Sequence, residues 1–349
     1  MSDRLGSFPP PSSPILVQRE EPAPRESEIP EPEEPSFDWR TNALLFALTV
    51  LSVFFVGRSW TATDGTQGLA SWASAWTFAV PLLAILLSHE FGHYIAARIH
   101  RVPASLPYFL PLPVLNPFGT LGAVIIMPRR IRSANALLDI GAAGPLAGMV
   151  VAIPVMLYGL SLSHLGPVGG GDGTYIQEGQ SLLYWGLKAL VFGHIPANMD
   201  VQLHPTALAA WVGFLITFLN LIPVGQLDGG HVAYSLFGQR QNRFARWLKF
   251  APVLLLIYNF VLHMLPALRQ AAAGGISSTP IQVWMPGISS VMNWFFLALL
   301  IFFMGRAGGG KHPPVDETHA QLSPVRKVVA VVTLLLFVAL FMPSPWVVY

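Results

Sequence analysis

The chain has no cysteine, so disulfides and thiolate metal sites are excluded, and any metal must be held by His, Asp or Glu. Charge is scarce too. Only 11% of the 349 residues are Asp, Glu, Lys or Arg, against about 25% in a typical soluble domain, while 53% are hydrophobic. That deficit argues for an integral membrane protein. The net charge of +2 is too small to point to a nucleic-acid partner. Near Met1 there is no apolar stretch of the kind that makes a signal peptide, and the acidic content of residues 1–38 speaks against a transit peptide. The same 38 residues are poor in apolar side chains and rich in Pro, Glu, Ser and Arg. They cannot bury enough surface to offset their ordering entropy, and a disordered tail or tether is expected there, ahead of a membrane domain over 39–349.

What is present in abundance is long apolar runs. Seven are read as spans, at about 43–57, 72–97, 135–160, 206–224, 250–266, 287–304 and 327–343. The fold class expected is therefore an all-α polytopic membrane protein embedded in the lipid bilayer. Residues 103–127 depart from this pattern, with five prolines between Pro103 and Pro117 and then Gly119 and Gly122. Irregular backbone at membrane depth is tolerated only where protein or a water-filled cavity covers it. A re-entrant or β-hairpin-like element is expected there.

The basic residues give an orientation. Of the twenty Lys and Arg, only Arg58, Lys188 and Arg269 fall on one side of these spans; the other seventeen, Arg98, Arg240 and Arg326 among them, fall on the opposite side. The positive-inside rule makes the second side cytoplasmic and puts the N-terminus there, as in a bacterial inner membrane. His89 lies nine residues before Arg98, so it sits roughly 13 Å from the cytoplasmic end of its span at about 1.5 Å per residue.

That span, free of acidic and basic side chains from Ser71 onward, ends in His89-Glu90-Phe91-Gly92-His93. On a helix the two imidazoles of HExxH share one face, where both can hold zinc, and the glutamate between them can act as general base on a water beside the ion. Ionisable residues at membrane depth are costly and need a partner or a purpose. A catalytic zinc takes three protein ligands, and the best-placed distant carboxylate is Asp228, in Asn220-Leu221-Ile222-Pro223-Val224-Gly225-Gln226-Leu227-Asp228-Gly229-Gly230-His231. Pro223 ends a helix, and Gly229-Gly230 would let the backbone turn tightly. Read alone, Asp-Gly-Gly fits a solvated turn equally well.

HEFGH in one span, with Asn220-x-x-Pro223-x-x-x-Leu227-Asp228-Gly229 in a later one, resembles the site-2 protease family of intramembrane zinc metalloproteases. The glycine-rich Gly141-Ala142-Ala143-Gly144-Pro145-Leu146-Ala147-Gly148 is similar to the family's element between the two. The resemblance covers about residues 71–237, a three-helix catalytic core. It implies one Zn2+ held by His89, His93 and Asp228, with Glu90 as catalytic base and Asn220 on substrate or oxyanion. It also implies single-span membrane proteins as substrates. No segment reads as a PDZ or CBS domain, so the chain looks most like the PDZ-less branch of cyanobacterial and chloroplast members.

Other readings stand beside these. A metal-ion transporter or metal-binding membrane protein would also carry intramembrane His and Asp. Gly144 and Gly148 form a small-residue face suited to plain helix packing, and Asn220 would equally make an interhelical hydrogen bond. His231 either orients Asp228 or sits at an interface. Asp139 is expected to cap its helix or pair with the arginines just upstream. The remaining histidines, His100 among them, lie outside any ligand spacing.

Overall fold

The computed structural model describes residues 39–61, 69–113, 116–127, 131, 133–168, 176–248, 250–275, 279–307, 315 and 321–349. The expected tail, 1–38, lies outside them. Twelve helices are described: α1 (Trp39–Thr61), α2 (Leu69–Ser74), α3 (Trp76–Ile99), α4 (Ala134–Ser161), α5 (Leu182–Phe192), α6 (Pro205–Asn220), α7 (Asp228–Phe237), α8 (Arg240–Leu248), α9 (Ala251–Asn259), α10 (Leu265–Gly274), α11 (Ile281–Ala307) and α12 (Pro324–Leu340). A π-helical turn, Phe260–Met264, joins α9 to α10. Six short strands complete the described elements: β1 (Tyr108–Pro111), β2 (Thr120–Val124), β3 (His164–Pro167), β4 (Ile176–Glu178), β5 (Met199–Gln202) and β6 (Trp346–Val348).

Among the described residues, four helical stretches are long and apolar enough to cross a bilayer: Trp39–Thr61, Ser71–Ile99, Ala134–Ser161 and Arg240–Gly274. They coincide with the first, second, third and fifth expected spans. The fourth falls on α6, which stops at Asn220 after 16 residues, because the chain turns through 221–227 around Pro223. The sixth and seventh fall on α11 and α12.

The core is built on α3, α4 and α6. α3 packs along α4 through small residues, and α6 lies against both. Ser133 caps α4, its Oγ accepting from Ala136 N at 3.4 Å. Apolar side chains of all three helices, Phe78, Leu82, Met156, Trp211 and Phe214 among them, are buried in one cluster.

β1 and β2 pair antiparallel, Tyr108 opposite Val124 and Phe109 opposite Ala123, with an irregularity before the Pro111–Thr120 pair. α1 holds the two strands through polar side chains. Asn42 Nδ2 donates to Leu106 O at 2.8 Å, and Ser52 Oγ donates to Gly119 O at 2.5 Å. Gly119 has φ +80, and a Cβ there would strike the backbone of Ser52 and Val53. The close approach and the left-handed backbone both require glycine.

The last residues strap α9 and α11 to the core. β6 pairs antiparallel with β4. Pro343 O accepts from Asn259 Nδ2 at 2.9 Å and from Trp294 Nε1 at 2.6 Å, and Asn293 Nδ2 donates to Trp346 O at 2.7 Å.

β4, α5 and β5 meet in a buried ion cluster. Lys188, 4% exposed, lies 3.0 Å from Asp200 Oδ1 and 3.6 Å from Glu178 Oε1, and Tyr184 Oη donates to the same Glu178 oxygen at 2.6 Å. Burial pushes the Glu178 carboxyl up, with the Lys188 ammonium only partly opposing it. At Asp200 burial acts in the same sense, but Lys188, Gln177 and the Val201 N–H outweigh it and hold the carboxyl below the usual range. Lys188→Met should lower unfolding stability by about 3 kcal/mol or more, because it leaves two buried carboxylates without their cation. Thermal unfolding in detergent, wild type against variant, measures this; an unchanged midpoint would show that the cluster contributes nothing.

Asp139 does not cap α4, since Ser133 does, and the arginines expected to pair with it, at 129, 130 and 132, lie outside the described residues. Its carboxylate takes a bidentate grip from Arg326, with Nη2 to Oδ2 at 2.7 Å and Nε to Oδ1 at 2.9 Å, and His100 Nε2 lies 2.7 Å from Oδ2. This ties the start of α12 to the α3–α4 pair.

Candidate metal centre

His89 and His93 sit on the face of α3 that packs against α4, and they and Glu90 are buried. The i,i+4 spacing places both imidazoles on that face, with Nε2 atoms 3.2 Å apart. Asp228 arrives as the first residue of α7. Its Oδ2 lies 3.3 Å from His89 Nε2 and 3.2 Å from His93 Nε2. A helix N-terminus favours a carboxylate there.

The loop before α7 explains the glycines. Gly225 has φ +59 and makes the turn. Gly229 and Gly230 are already helical and serve close approach instead: a Cβ on Gly229 would collide with Leu221 O, and one on Gly230 with Gly225 O. The tight turn expected at 229–230 thus belongs to Gly225, and the pair lets α7 nest into the loop that precedes it.

α4 supplies the other wall. His93 Nδ1 lies 2.7 Å from Ile140 O; only Nδ1–H can donate to a carbonyl, which leaves the Nε2 lone pair facing Asp228 and His89. Gly144 lies so close that a Cβ would meet His93 Nε2, and one on Gly148 would stand 3.2 Å from His89 Cβ. Gly141 gives the same room to His231, whose Cβ would lie 2.8 Å from an added methyl. The 141–148 glycine stripe therefore packs helices, as a small-residue face does, and what it accommodates is the two imidazoles. Asn220, at the C-terminus of α6, brings Nδ2 to 3.4 Å from His89 Nε2, at the edge of the cluster.

The three ligand atoms fit one zinc ion. Ligands about 2.0–2.2 Å from a tetrahedral centre stand about 3.3–3.6 Å from one another. The pairwise distances here are 3.2, 3.2 and 3.3 Å. The donor set, two imidazole nitrogens and one carboxylate oxygen, suits zinc, and it leaves a fourth position for water or substrate. Among the described residues, this is the one group of three such side chains able to hold an ion.

A family model described as Peptidase family M50 matches residues 77–259, from the start of α3 to the end of α9. The chain belongs to Peptidase family M50. Among its curated relatives, "Probable zinc metalloprotease EGY2, chloroplastic" of Oryza sativa subsp. indica is 29% identical over 276 residues, covering 77% of this chain and 43% of the relative. "Probable zinc metalloprotease EGY1, chloroplastic" is 35% identical over 170 residues in Oryza sativa subsp. japonica, 48% of this chain and 29% of the relative. The Arabidopsis thaliana protein of the same name is 33% identical over 174 residues, 48% and 30%. The chain spans less than half the length of these relatives. No solved structure is a significant match.

The M50 match takes in all of His89, Glu90, His93, Asn220 and Asp228. Two parts of the site escape a motif search. The Ile140 carbonyl that orients His93 is backbone and carries no residue signature. The role of Gly144 was visible only as helix-packing spacing, with nothing in the sequence to say which side chain it faces.

Proposed function

We propose that this M50 peptidase is an intramembrane zinc metalloprotease that cleaves transmembrane segments of membrane proteins. The observation that carries the proposal is the convergence of His89, His93 and Asp228, from sequence positions 139 residues apart, with Glu90 buried next to His89 on α3. Bound by these three, zinc would polarise the scissile carbonyl and make water a better nucleophile near neutral pH. Glu90 is buried within electrostatic reach of all three ligands. It takes the proton from the attacking water as the oxygen adds to the carbonyl carbon, and it delivers that proton to the amine nitrogen as the C–N bond breaks. Asn220, beside His89, is placed to hold the substrate or the developing oxyanion. A helical substrate has its carbonyls occupied, so it must unwind locally before reaction. The substrates proposed are single-span membrane proteins.

The topology proposed has seven spans, with α6, α11 and α12 joining the four stretches named above, and the N-terminus on the arginine-rich face, cytoplasmic in an inner membrane of bacterial type. The curated relatives named above are chloroplast proteins. Residues 1–38 are proposed to take no part in the chemistry. Deleting residues 1–36 should leave cleavage of a reconstituted single-span substrate within about twofold of the full chain; loss of cleavage with zinc content intact would give the tail a role in the reaction.

Asp228→Ala tests the metal reading directly. Loss of the third ligand should strip zinc from the purified protein and abolish cleavage, while the α3–α4 packing survives. Metal analysis beside a substrate-cleavage assay decides it: full zinc retention would remove Asp228 from the site. Zinc uptake into vesicles without cleavage would favour a transporter.

A further inference from the structure

α8 presents a face that the described fold leaves uncovered. Its inner side packs on the loop leading to Asp228: Ala245 is buried with Ile222 and Val224, and Gln241 Nε2 donates to Pro223 O at 3.0 Å. Its outer side exposes Phe244 (65%) and Trp247 (72%), together with Arg240, Arg243 and Arg246. At about 100° per residue the helix divides into strips. Gln241, Ala245 and Leu248 face protein; Phe244, Arg240 and Trp247 follow in turn round one side, and Arg243 and Arg246 lie on the far face. Among the described residues no acidic side chain pairs with the three arginines, and the sequence has no Asp or Glu from Gly229 to Val315. The next helix, α9, is apolar and outward-facing at Val253, Leu254 and Ile257, so α8 is the arginine-bearing start of the bilayer-crossing stretch Arg240–Gly274.

We propose that α8 lies in the headgroup layer of the membrane and binds anionic phospholipid, and that this contact holds the 221–227 loop, and with it Asp228, in position. Aromatic side chains interleaved with guanidinium groups on one exposed face suit the boundary between acyl chains and headgroups. Arginines near that surface are drawn to negative lipid. An acidic protein partner would engage the guanidinium groups but would leave Phe244 and Trp247 in water. The coupling to Asp228 rests on the metal reading above; the lipid site does not.

Because the chain lacks cysteine, Phe244→Cys gives a unique thiol for a fluorescent label. The full-length labelled protein is reconstituted in phosphatidylcholine vesicles with 30% phosphatidylglycerol, and a doxyl quencher is carried on one lipid or the other. Phosphatidylglycerol should be enriched at the label about five-fold over phosphatidylcholine, and the combined Arg240→Gln, Arg243→Gln, Arg246→Gln variant should abolish the preference. Equal quenching by both lipids, or an undiminished preference in the triple variant, overturns the lipid site. No quenching by either lipid, with fluorescence lost only on adding an acidic peptide, would assign the face to a protein partner. Zinc retention against a chelator then tests the coupling. It should be several-fold longer in wild type with phosphatidylglycerol than without it, and unaffected by the lipid in the triple variant. Lipid-independent retention in wild type overturns the coupling. Absence of zinc in every membrane would instead be a failure of the metal reading, and the quenching result would still decide the lipid site.

Discussion

Glu90→Gln should abolish proteolysis while the protein keeps its zinc and its fold. Glutamine matches glutamate in size and leaves His89, His93 and Asp228 untouched, so ligands and packing stay as they are. What is lost is the only function the three ligands cannot supply, a group that accepts the proton of the attacking water and returns it to the leaving amine. Removal of a positioned general base costs typically about 10²–10⁴-fold in rate. Burial adds to the requirement: with Glu90 only 5% exposed, bulk water is poorly placed to take over the proton transfer. The measurement pairs cleavage of a reconstituted single-span substrate with metal content for both forms. Wild-type-like proteolysis by the variant would sink the mechanism. A transporter would have no need of a base at this position, and its metal flux would survive the change.

Much of this site was legible in the sequence, for identifiable reasons. HExxH fixes its own geometry, because i,i+4 on a helix is a short-range relation. Asp228 was reachable because carboxylates are so scarce in apolar segments that few candidates existed, and because Leu227-Asp228-Gly229 resembled a known motif. Four of the seven expected spans coincide with helical stretches long and apolar enough to cross a bilayer. Long-range pairings of residues ordinary in themselves were not legible. Arg326 grips Asp139 across 187 positions, and Lys188 gathers Glu178 and Asp200 from two strands too short to announce themselves. The β1–β2 pair is anchored by side chains of α1 that bond the backbone just outside the two strands, so the prolines of 103–117 could signal an irregular element without specifying its pairing. β6 is equally hidden: Trp346–Val348 becomes a strand only because β4 is there to receive it.

Gly144 yields the sharpest test of how the two helices make the centre. Its α-carbon faces the His93 ring so closely that an added methyl would occupy the space of Nε2 itself, the atom that faces Asp228. The ring cannot retreat along its own plane without breaking the Nδ1–H bond to Ile140 O, which issues from the same helix one turn earlier. Gly144→Ala must therefore either push α4 away from α3, at an overpacking cost of about 1–3 kcal/mol, or swing His93 out of register with its fellow ligands. Both routes weaken the metal site, and zinc affinity should fall by about 10–100-fold or more, the range for losing a group that orients a ligand. Gly148→Ala should do less, since its methyl would stand 3.2 Å from His89 Cβ and a shift of a few tenths of an ångström relieves it. Gly186→Ala, on α5 with nothing within 4 Å of the new methyl, is the control and should leave zinc binding unchanged. Zinc titration against a competing chelator ranks the three. Retention of zinc by Gly144→Ala at the level of Gly186→Ala would mean that α4 does not shape the His93 position.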